Sequence, residues 1–366
     1  MLPIGVVRAQ AFAIPTDGPE ADGTASWDST TLVVVHAQAG DWEGIGYSYA
    51  DLSVAALVNS KLASVIVGND ASDPPRALRL MQVVVRNLGR DGIAACAISA
   101  VDTASWDLKA KLLDVPLAHL LGQYRNAVPI YGSGGFTNYD DGRLAEQLAR
   151  WVEHDGCRWV KMKVGMHPER DPERVSQAKA AIGPATLFVD ANNAYGVKQA
   201  IEFARRFLDE QDVRWFEEPV SSDDLVGLRR VRDQVSAAIE IAAGEYGYEP
   251  TYFRRMLEAG AVDVLQADAT RCGGVTGFML AASLPEAFHV DISAHCALAL
   301  HRHLGTAAPR FQHCEWFHDH VRIERMLFDG APVPHDGAIM PDPERPGFGL
   351  VFKRQDAERF AVCTGS

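Results

Sequence analysis

The chain has 366 residues, 47% of them hydrophobic, with 31 Gly and 19 Pro, which suits one large domain plus a smaller one and supplies a sizeable core. A formal net charge of −13 without clustered Lys and Arg argues against a nucleic-acid surface, and no apolar run approaches the roughly 18 residues that cross a bilayer. The N-terminus lacks the regions of a signal peptide, and six cysteines (Cys96, Cys157, Cys272, Cys296, Cys314 and Cys363) form no CxxC pair, so a cytoplasmic protein with reduced thiols is expected.

Residues 1 to about 125 read as a mixed unit. The β-branched run TTLVVVHAQ at 30–38 predicts a strand, and AISAVDTASWDLKAKLLDVPLAHLLG repeats apolar residues at helical spacing through Ile98, Val101, Ala104, Trp106, Leu108 and Leu112. Pro116 forces that helix to restart. From about 126 the texture changes to short apolar strands alternating with amphipathic helices, the pattern of a parallel sheet. The strands are VPIYGS at 128, WVKMKVG at 159, LFVDANN at 187, VRWFEEP at 213, IEIAAGE at 239, VDVLQADAT at 262, VDISAHC at 290 and FQHCEWF at 311. Several intervening helices close on a glycine suited to a left-handed C-cap. The fold class is therefore α/β, a (β/α)8-type barrel over 126–320 preceded by an α+β unit over 1–125. The segment 321–366, with DGAIMPDPERPGFGL, is too rich in Gly and Pro for another strand-helix unit and is expected to return to the N-terminal unit.

Each barrel strand carries polar residues near its C-terminal end, where barrel loops assemble active sites. Lys163, Asp190, Glu217, Glu245, Asp268, His295 and Glu315 follow one another at separations of 27, 27, 28, 23, 27 and 20 residues, about one strand-helix unit each. A single acid at a strand end is ordinarily a helix cap or a surface ion pair. Three acids on consecutive strands repel one another and raise each other's pKa, a conflict that a divalent cation resolves. Asp190, Glu217 and Glu245 are thus candidate metal ligands, and three hard oxygen donors suit Mg2+ better than zinc, which would recruit His and Cys. Glu218 faces the other way in a strict strand and is the weaker candidate.

Lys161 and Lys163, two apart in WVKMKVG, point to the same side of their strand and into the mouth. Two ammonium groups about 6 Å apart at an effective dielectric near 20 repel by roughly 3 kcal/mol, which predicts that one lysine is depressed by about 2 pKa units toward service as a base. An edge-strand pair of snorkelling lysines is the bland alternative. His295, with Asp268 one unit earlier, forms a candidate dyad in which the carboxylate fixes the imidazole tautomer. GSGG at 132–135 and GGVTG at 273–277 lack the remainder of a phosphate-binding motif, and the histidines of HRH at 301 and HDH at 318 read as solvated.

Taken together, KMK, the three acids, the Asp268–His295 dyad and Glu315 in this order resemble the enolase superfamily, specifically its mandelate racemase subgroup. SAVDTASWDLKAK and IMPDPERPGFGL are similar to that family's capping-domain segments, so the resemblance spans essentially the whole chain. It implies that a substrate carboxylate binds Mg2+, a base removes the α-proton and the metal stabilises the resulting enediolate. By the same analogy Lys163 is the base on one face, Lys161 modulates it, and His295 with Asp268 serves the opposite face. Glu315 would donate a hydrogen bond to a substrate carboxylate oxygen and so must be protonated, while Asn192, sharing a strand face with Asp190, is a candidate substrate contact. With three ligand carboxylates, Mg2+ and two protonated lysines, the site keeps about +1 of charge for a small-molecule carboxylate.

Bases on both faces permit racemisation or elimination. The more numerous acid-sugar dehydratases of the subgroup make dehydration of an aldonate or aldarate to a 2-keto-3-deoxy acid the leading expectation, with a racemase or epimerase of a 2-hydroxy acid as the alternative. A Schiff-base aldolase using one lysine covalently is a further enzyme class open to the same barrel. Specificity rests on capping stretches at 16–28 and 46–52, read as loops, where Trp27, Tyr47 and Tyr49 are candidate pocket residues. Family habit adds a homo-oligomer, a dimer or an octamer, and neither nucleic acid nor membrane as a partner.

Overall fold

The structure, a computed structural model, describes residues 2–362, so Cys363 lies outside the described residues. The N-terminal unit is built on three long antiparallel strands, β1 (Val6–Ala21), β2 (Ser26–Ala39) and β3 (Trp42–Tyr49), with the short strand Ala361–Val362 on the outer edge of β1. The run LVVV in β2 is continuous because both faces of that strand are buried. Leu32 and Val34 pack toward the barrel, while Val33 and Val35 join the helical core of the cap. The helix Ile93–Leu112 crosses β3 at close range. Gly44 and Gly46 permit this, since a Cβ at either would meet the carbonyl oxygen of Ala104 at 2.2 Å or of Ala100 at 2.1 Å. The stretches at 16–28 and 46–52, expected as loops, lie largely in β1, β2 and β3; the hairpin tip between Ala21 and Ser26 and residues 50–52 after β3 are free of strand.

The barrel consists of eight parallel strands: β4 (Val128–Gly134), β5 (Trp159–Lys163), β6 (Thr186–Asp190), β7 (Val213–Glu217), β8 (Glu240–Ala243), β9 (Val264–Ala267), β10 (Asp291–Ala294) and β11 (Phe311–Phe317). β11 pairs back onto β4 and closes the ring. All eight strand segments read from the sequence fall on these strands. The helix His318–Leu327 follows β11 and straddles residue 320, so the last barrel helix runs on into the C-terminal segment. Register places Lys163 opposite Asp190, Asp190 opposite Glu217, and Glu217 opposite Ala242, which brings the charged residues to one level. Below that level Tyr131, Phe188 and Trp215 fill the interior and cluster with Ala242 and Val264, with Trp159 packed against them. Among the described residues no helix is long and apolar enough to cross a membrane.

Candidate active site

Lys161, Asp190 and Glu217 have no exposed surface, Lys163 is 5% exposed and Glu245 4%. Glu245 follows β8 across Gly244, whose φ of +136° and close approach to the Gln266 carbonyl require glycine. One oxygen from each of Asp190, Glu217 and Glu245 lies within 4.8 Å of the others. Burial and the neighbouring Asp190 push Glu217 well above the carboxylate range, even with Lys161 beside it. Asp190 is held at about 2, because Lys163 and Lys161 outweigh its burial. Crowded acids of this kind, all with oxygen donors, fit a hard divalent cation. Glu218 stands outside the group: it turns through a φ of +42° and accepts the Gly244 amide at 3.0 Å.

The lysines differ from expectation. Lys161 bonds to Glu217, to Glu315 at 2.8 Å and to Asp190 at 3.2 Å, and Lys163 bonds to Asp190 at 2.6 Å. Burial and their mutual repulsion lower Lys163, but Asp190 with Glu315 and Glu245 overcomes both, so the amine is raised rather than depressed. Lys161 is raised too, by Glu217 and Glu315 against its burial. The repulsion between the lysines expected from the sequence is present, but the carboxylates that interleave with the amines outweigh it.

Glu315 is likewise corrected. Burial favours its neutral form, yet Lys161, His295 and Lys163 hold it well below the carboxylate range. It accepts hydrogen bonds from the Ser133 hydroxyl at 2.6 Å and the Cys296 amide at 3.2 Å, the behaviour of a carboxylate rather than of the protonated donor expected.

His295 sits just beyond β10 with Nδ1 2.9 Å from Asp268 Oδ2. The Thr270 amide and hydroxyl both donate to Asp268 Oδ1 at 2.7 Å, and Asp268 stays ionised because the His295 hydrogen bond and charge outweigh its burial. Nε2 of His295 points the other way, 3.3 Å from Glu245 Oε2.

A cavity of about 390 Å³ opens over these groups, bounded below by Lys163, Asn192, Glu245 and His295 and above by Asp22, Trp27, Tyr49 and Asp51 from the cap. Asn192 reaches it from the turn after β6, at a φ of +43°, and not from a strand face shared with Asp190 as expected. Trp27 is oriented by its indole N–H, which donates to Glu20 at 2.8 Å, and Tyr49 stacks on His320. Tyr47 does not reach the cavity. It is fully buried one step down the strand from Tyr49 and donates to Glu324 at 2.5 Å. Sequence reasoning passed over Arg271, Tyr246 and Cys296, which also line the cavity, and His320 of the HDH stretch, expected to be solvated, is buried and lines it with them. Arg271 left a signal, being three residues beyond Asp268, whose oxygen its Nε approaches to 3.7 Å. The HRH histidines are buried, not solvated: His301 accepts the Ala269 amide through Nε2 at 3.0 Å and donates through Nδ1 to the Cys296 carbonyl at 2.7 Å. Cys96, Cys157, Cys272, Cys296 and Cys314 are buried free thiols.

Residues 143–357 match the enolase C-terminal domain-like family, and residues 10–122 match the mandelate racemase/muconate lactonizing enzyme N-terminal domain. The chain belongs to the mandelate racemase subgroup of the enolase superfamily. Among solved structures of this superfamily, a mandelate racemase/muconate lactonizing enzyme-like protein from Rubrobacter xylanophilus superposes with a TM-score of 0.96 at 48% identity, covering 98% of this chain and 100% of that one. The 3,6-anhydro-alpha-L-galactonate cycloisomerase of Streptomyces coelicolor is 31% identical over 97% of this chain and 99% of its own length. The L-talarate/galactarate dehydratase of Salmonella typhimurium, solved with Mg and L-lyxarohydroxamate, has a TM-score of 0.89 at 26% identity over 99% of this chain and 93% of that one. Relatives in this superfamily thus include acid-sugar dehydratases and cycloisomerases.

Proposed function

We propose that the chain is an Mg2+-dependent hydro-lyase that dehydrates an acid sugar, an aldonate or aldarate, to a 2-keto-3-deoxy acid. The observation that carries this reading is the placement of Lys163 and His295 on one cavity wall system, with the Asp190–Glu217–Glu245 oxygens gathered between strands β6 and β8. β5 and β10, which bear the two bases, are separated by β4 and β11 on one side and by β6 to β9 on the other, so they address a substrate from different directions.

Asp190, Glu217 and Glu245 would hold Mg2+, which supplies Lewis-acid stabilisation of the negative charge that develops at the substrate carboxylate. Lys163 Nζ takes the α-proton. It must be neutral to do so, and once Asp190 is committed elsewhere, its burial and the repulsion from Lys161 both favour the free amine. Lys161 stays charged between Glu217 and Glu315 and attracts the substrate carboxylate. His295 Nε2 gives its proton to the departing β-hydroxyl, which leaves as water, and Asp268 stabilises the imidazolium before that transfer. The enol left behind tautomerises to the 2-keto acid, so the products differ from the substrate by one water. Asn192, Trp27 and Tyr49 contact the part of the substrate beyond the reacting carbons. Assembly as a dimer or octamer follows the family habit, and sedimentation velocity tests it.

Incubation with Mg2+ and a panel of aldonates and aldarates should yield a 2-keto acid detectable as its semicarbazone, and EDTA should abolish it. If no acid yields one while solvent deuterium enters a recovered 2-hydroxy acid, racemisation or epimerisation replaces dehydration. The aromatic rings of Trp27, Tyr49 and Phe317 in the cavity favour that second reading for an aryl or alkyl substrate.

A further inference from the structure

Cys296 has no part in the reaction just described, yet its backbone is bent to deliver the thiol to the base. The residue has a left-handed φ of +51°, its amide donates to Glu315 Oε2 at 3.2 Å, and its carbonyl is held by His301. Such a conformation costs energy in a non-glycine residue and persists only where neighbours enforce it. The result is a triangle of donors: Cys296 Sγ is 3.4 Å from His295 Nε2 and 3.4 Å from Glu315 Oε2, and the last two are 3.7 Å apart.

Four-coordinate zinc has bonds of about 2.0–2.1 Å to nitrogen, 2.3 Å to sulfur and 2.0–2.2 Å to oxygen, which at tetrahedral angles give ligand separations of roughly 3.4–3.6 Å. The observed edges match these to within about 0.3 Å. A second observation points the same way. Glu245 Oε2 is buried and accepts no hydrogen bond, although it lies 3.3 Å from His295 Nε2, and so offers a fourth donor beside the same nitrogen. Behind the imidazole, Asp268 on Nδ1 fixes the tautomer that leaves Nε2 free to coordinate, the carboxylate–histidine support common around zinc.

We propose that His295, Cys296 and Glu315 form a zinc-selective cation site that borders the all-oxygen set of Asp190, Glu217 and Glu245, differs from it in donor chemistry and shares Glu245 with it. Mg2+ prefers octahedral oxygen ligands and gains little from sulfur or imidazole. Binding replaces the Cys296 S–H bond with a Zn–S bond and releases that proton to solvent through the cavity. With Nε2 bound to zinc, His295 has no proton to give, so occupation stops the dehydration proposed above; this consequence, unlike the binding itself, rests on that reading.

Co2+ is the probe. Added to the full chain in excess Mg2+, it should give the near-ultraviolet thiolate-to-cobalt absorption and the visible bands of a four-coordinate ion, and Zn2+ should erase both. Cys296→Ser should remove the thiolate band. Asp268→Asn, which keeps all three donors, should weaken zinc competition by roughly 10–100-fold. Where turnover is measurable, Cys296→Ser should raise the Zn2+ concentration for half inhibition by roughly tenfold or more, a change of at least about 1.4 kcal/mol. No thiolate band in the parent chain, or an undiminished band in Cys296→Ser, would overturn the proposal. Because the spectrum needs no substrate, a failure to find dehydratase activity leaves it intact.

Discussion

The barrel interior has two layers drawn from the same strands, and they solve burial in opposite ways. Tyr131, Trp159, Phe188, Trp215 and His313 form the floor, while Ser133, Lys161, Asp190, Glu217 and Glu315, each two residues further along its strand, form the mouth. Floor rings touch in stacked and tilted pairs, such as Phe188 on Trp215 at 5.2 Å, and even His313 is kept neutral, since burial drops it to about 3. At the mouth Lys161, Asp190 and Glu315 keep their charge by pairing, while burial and Asp190 push Glu217 toward its neutral form. The floor is an aromatic plug that holds shape. The mouth is a charge lattice with more acids than amines, stable only when its members are shared out among cations.

If the division is sound, the mouth can lose a function without losing the fold. Lys163→Met should lower turnover by roughly 10²–10⁴-fold, the usual worth of a general base, with cooperative unfolding retained because Lys161 still pairs Asp190 at 3.2 Å. Steady-state rates and a thermal melt on one sample decide it, and a Lys163→Met chain with near-native turnover would remove Lys163 from the mechanism. The floor should behave in reverse. Trp215→Ala leaves a cavity under the mouth and should cost about 3–5 kcal/mol in a urea titration. A loss well under about 1 kcal/mol would mean that the plug is not what holds the strands apart.

A third kind of burial sharpens the contrast, because Glu324 is buried without an ion pair among the described residues. It accepts the Tyr47 hydroxyl at 2.5 Å and the Ala299 amide at 3.2 Å, and burial, against those hydrogen bonds, raises it from 4.5 to about 7. Between those values the folded chain holds a proton that the unfolded chain releases, so stability from this group falls as pH rises from about 4.5 to about 7 and is level above. The whole swing is about 3 kcal/mol at most. Subtracting the unfolding free energies of Glu324→Gln from those of the parent across this window should isolate the slope. Parallel curves would show that Glu324 titrates normally.

The strands were legible because a barrel strand buried on both faces is a short unbroken apolar run ending in a polar residue, as LFVD and WFEE do. β1 was not, since Pro15, Gly18 and Pro19 interrupt it, and the structure absorbs them in a register shift between Pro15 and Glu20. The ring of polar residues could be read by counting one unit at a time. Their protonation could not, because it depends on separations between strands distant in sequence, such as the 2.8 Å from Lys161 to Glu315. Tyr47 and Tyr49 share one face, so period-2 reading could not tell which of them stops short of the cavity; the reach of Glu324 from a later helix decides that. Cys296 and Arg271 depend on turn geometry beyond the strand ends, where no periodicity operates.

One hydrogen bond joins the two layers, and its removal is the finest test of their independence. The Trp215 indole N–H donates at 3.0 Å to Glu217 Oε2, while Glu217 Oε1 is taken by Lys161, so both oxygens of this acid are spoken for from below and beside. Trp215→Phe retains most of the ring contact with Phe188 and Tyr131 but deletes the donor. If the floor only fills space, Mg2+ binding measured by calorimetry should be unchanged. If the floor also aims the ligand, affinity should fall by roughly tenfold, the lower end for a partner behind a metal ligand, with a smaller stability loss than Trp215→Ala. We expect the second result, because an aromatic residue that merely filled the barrel would not need its one polar atom turned toward the single acid that lies directly above it.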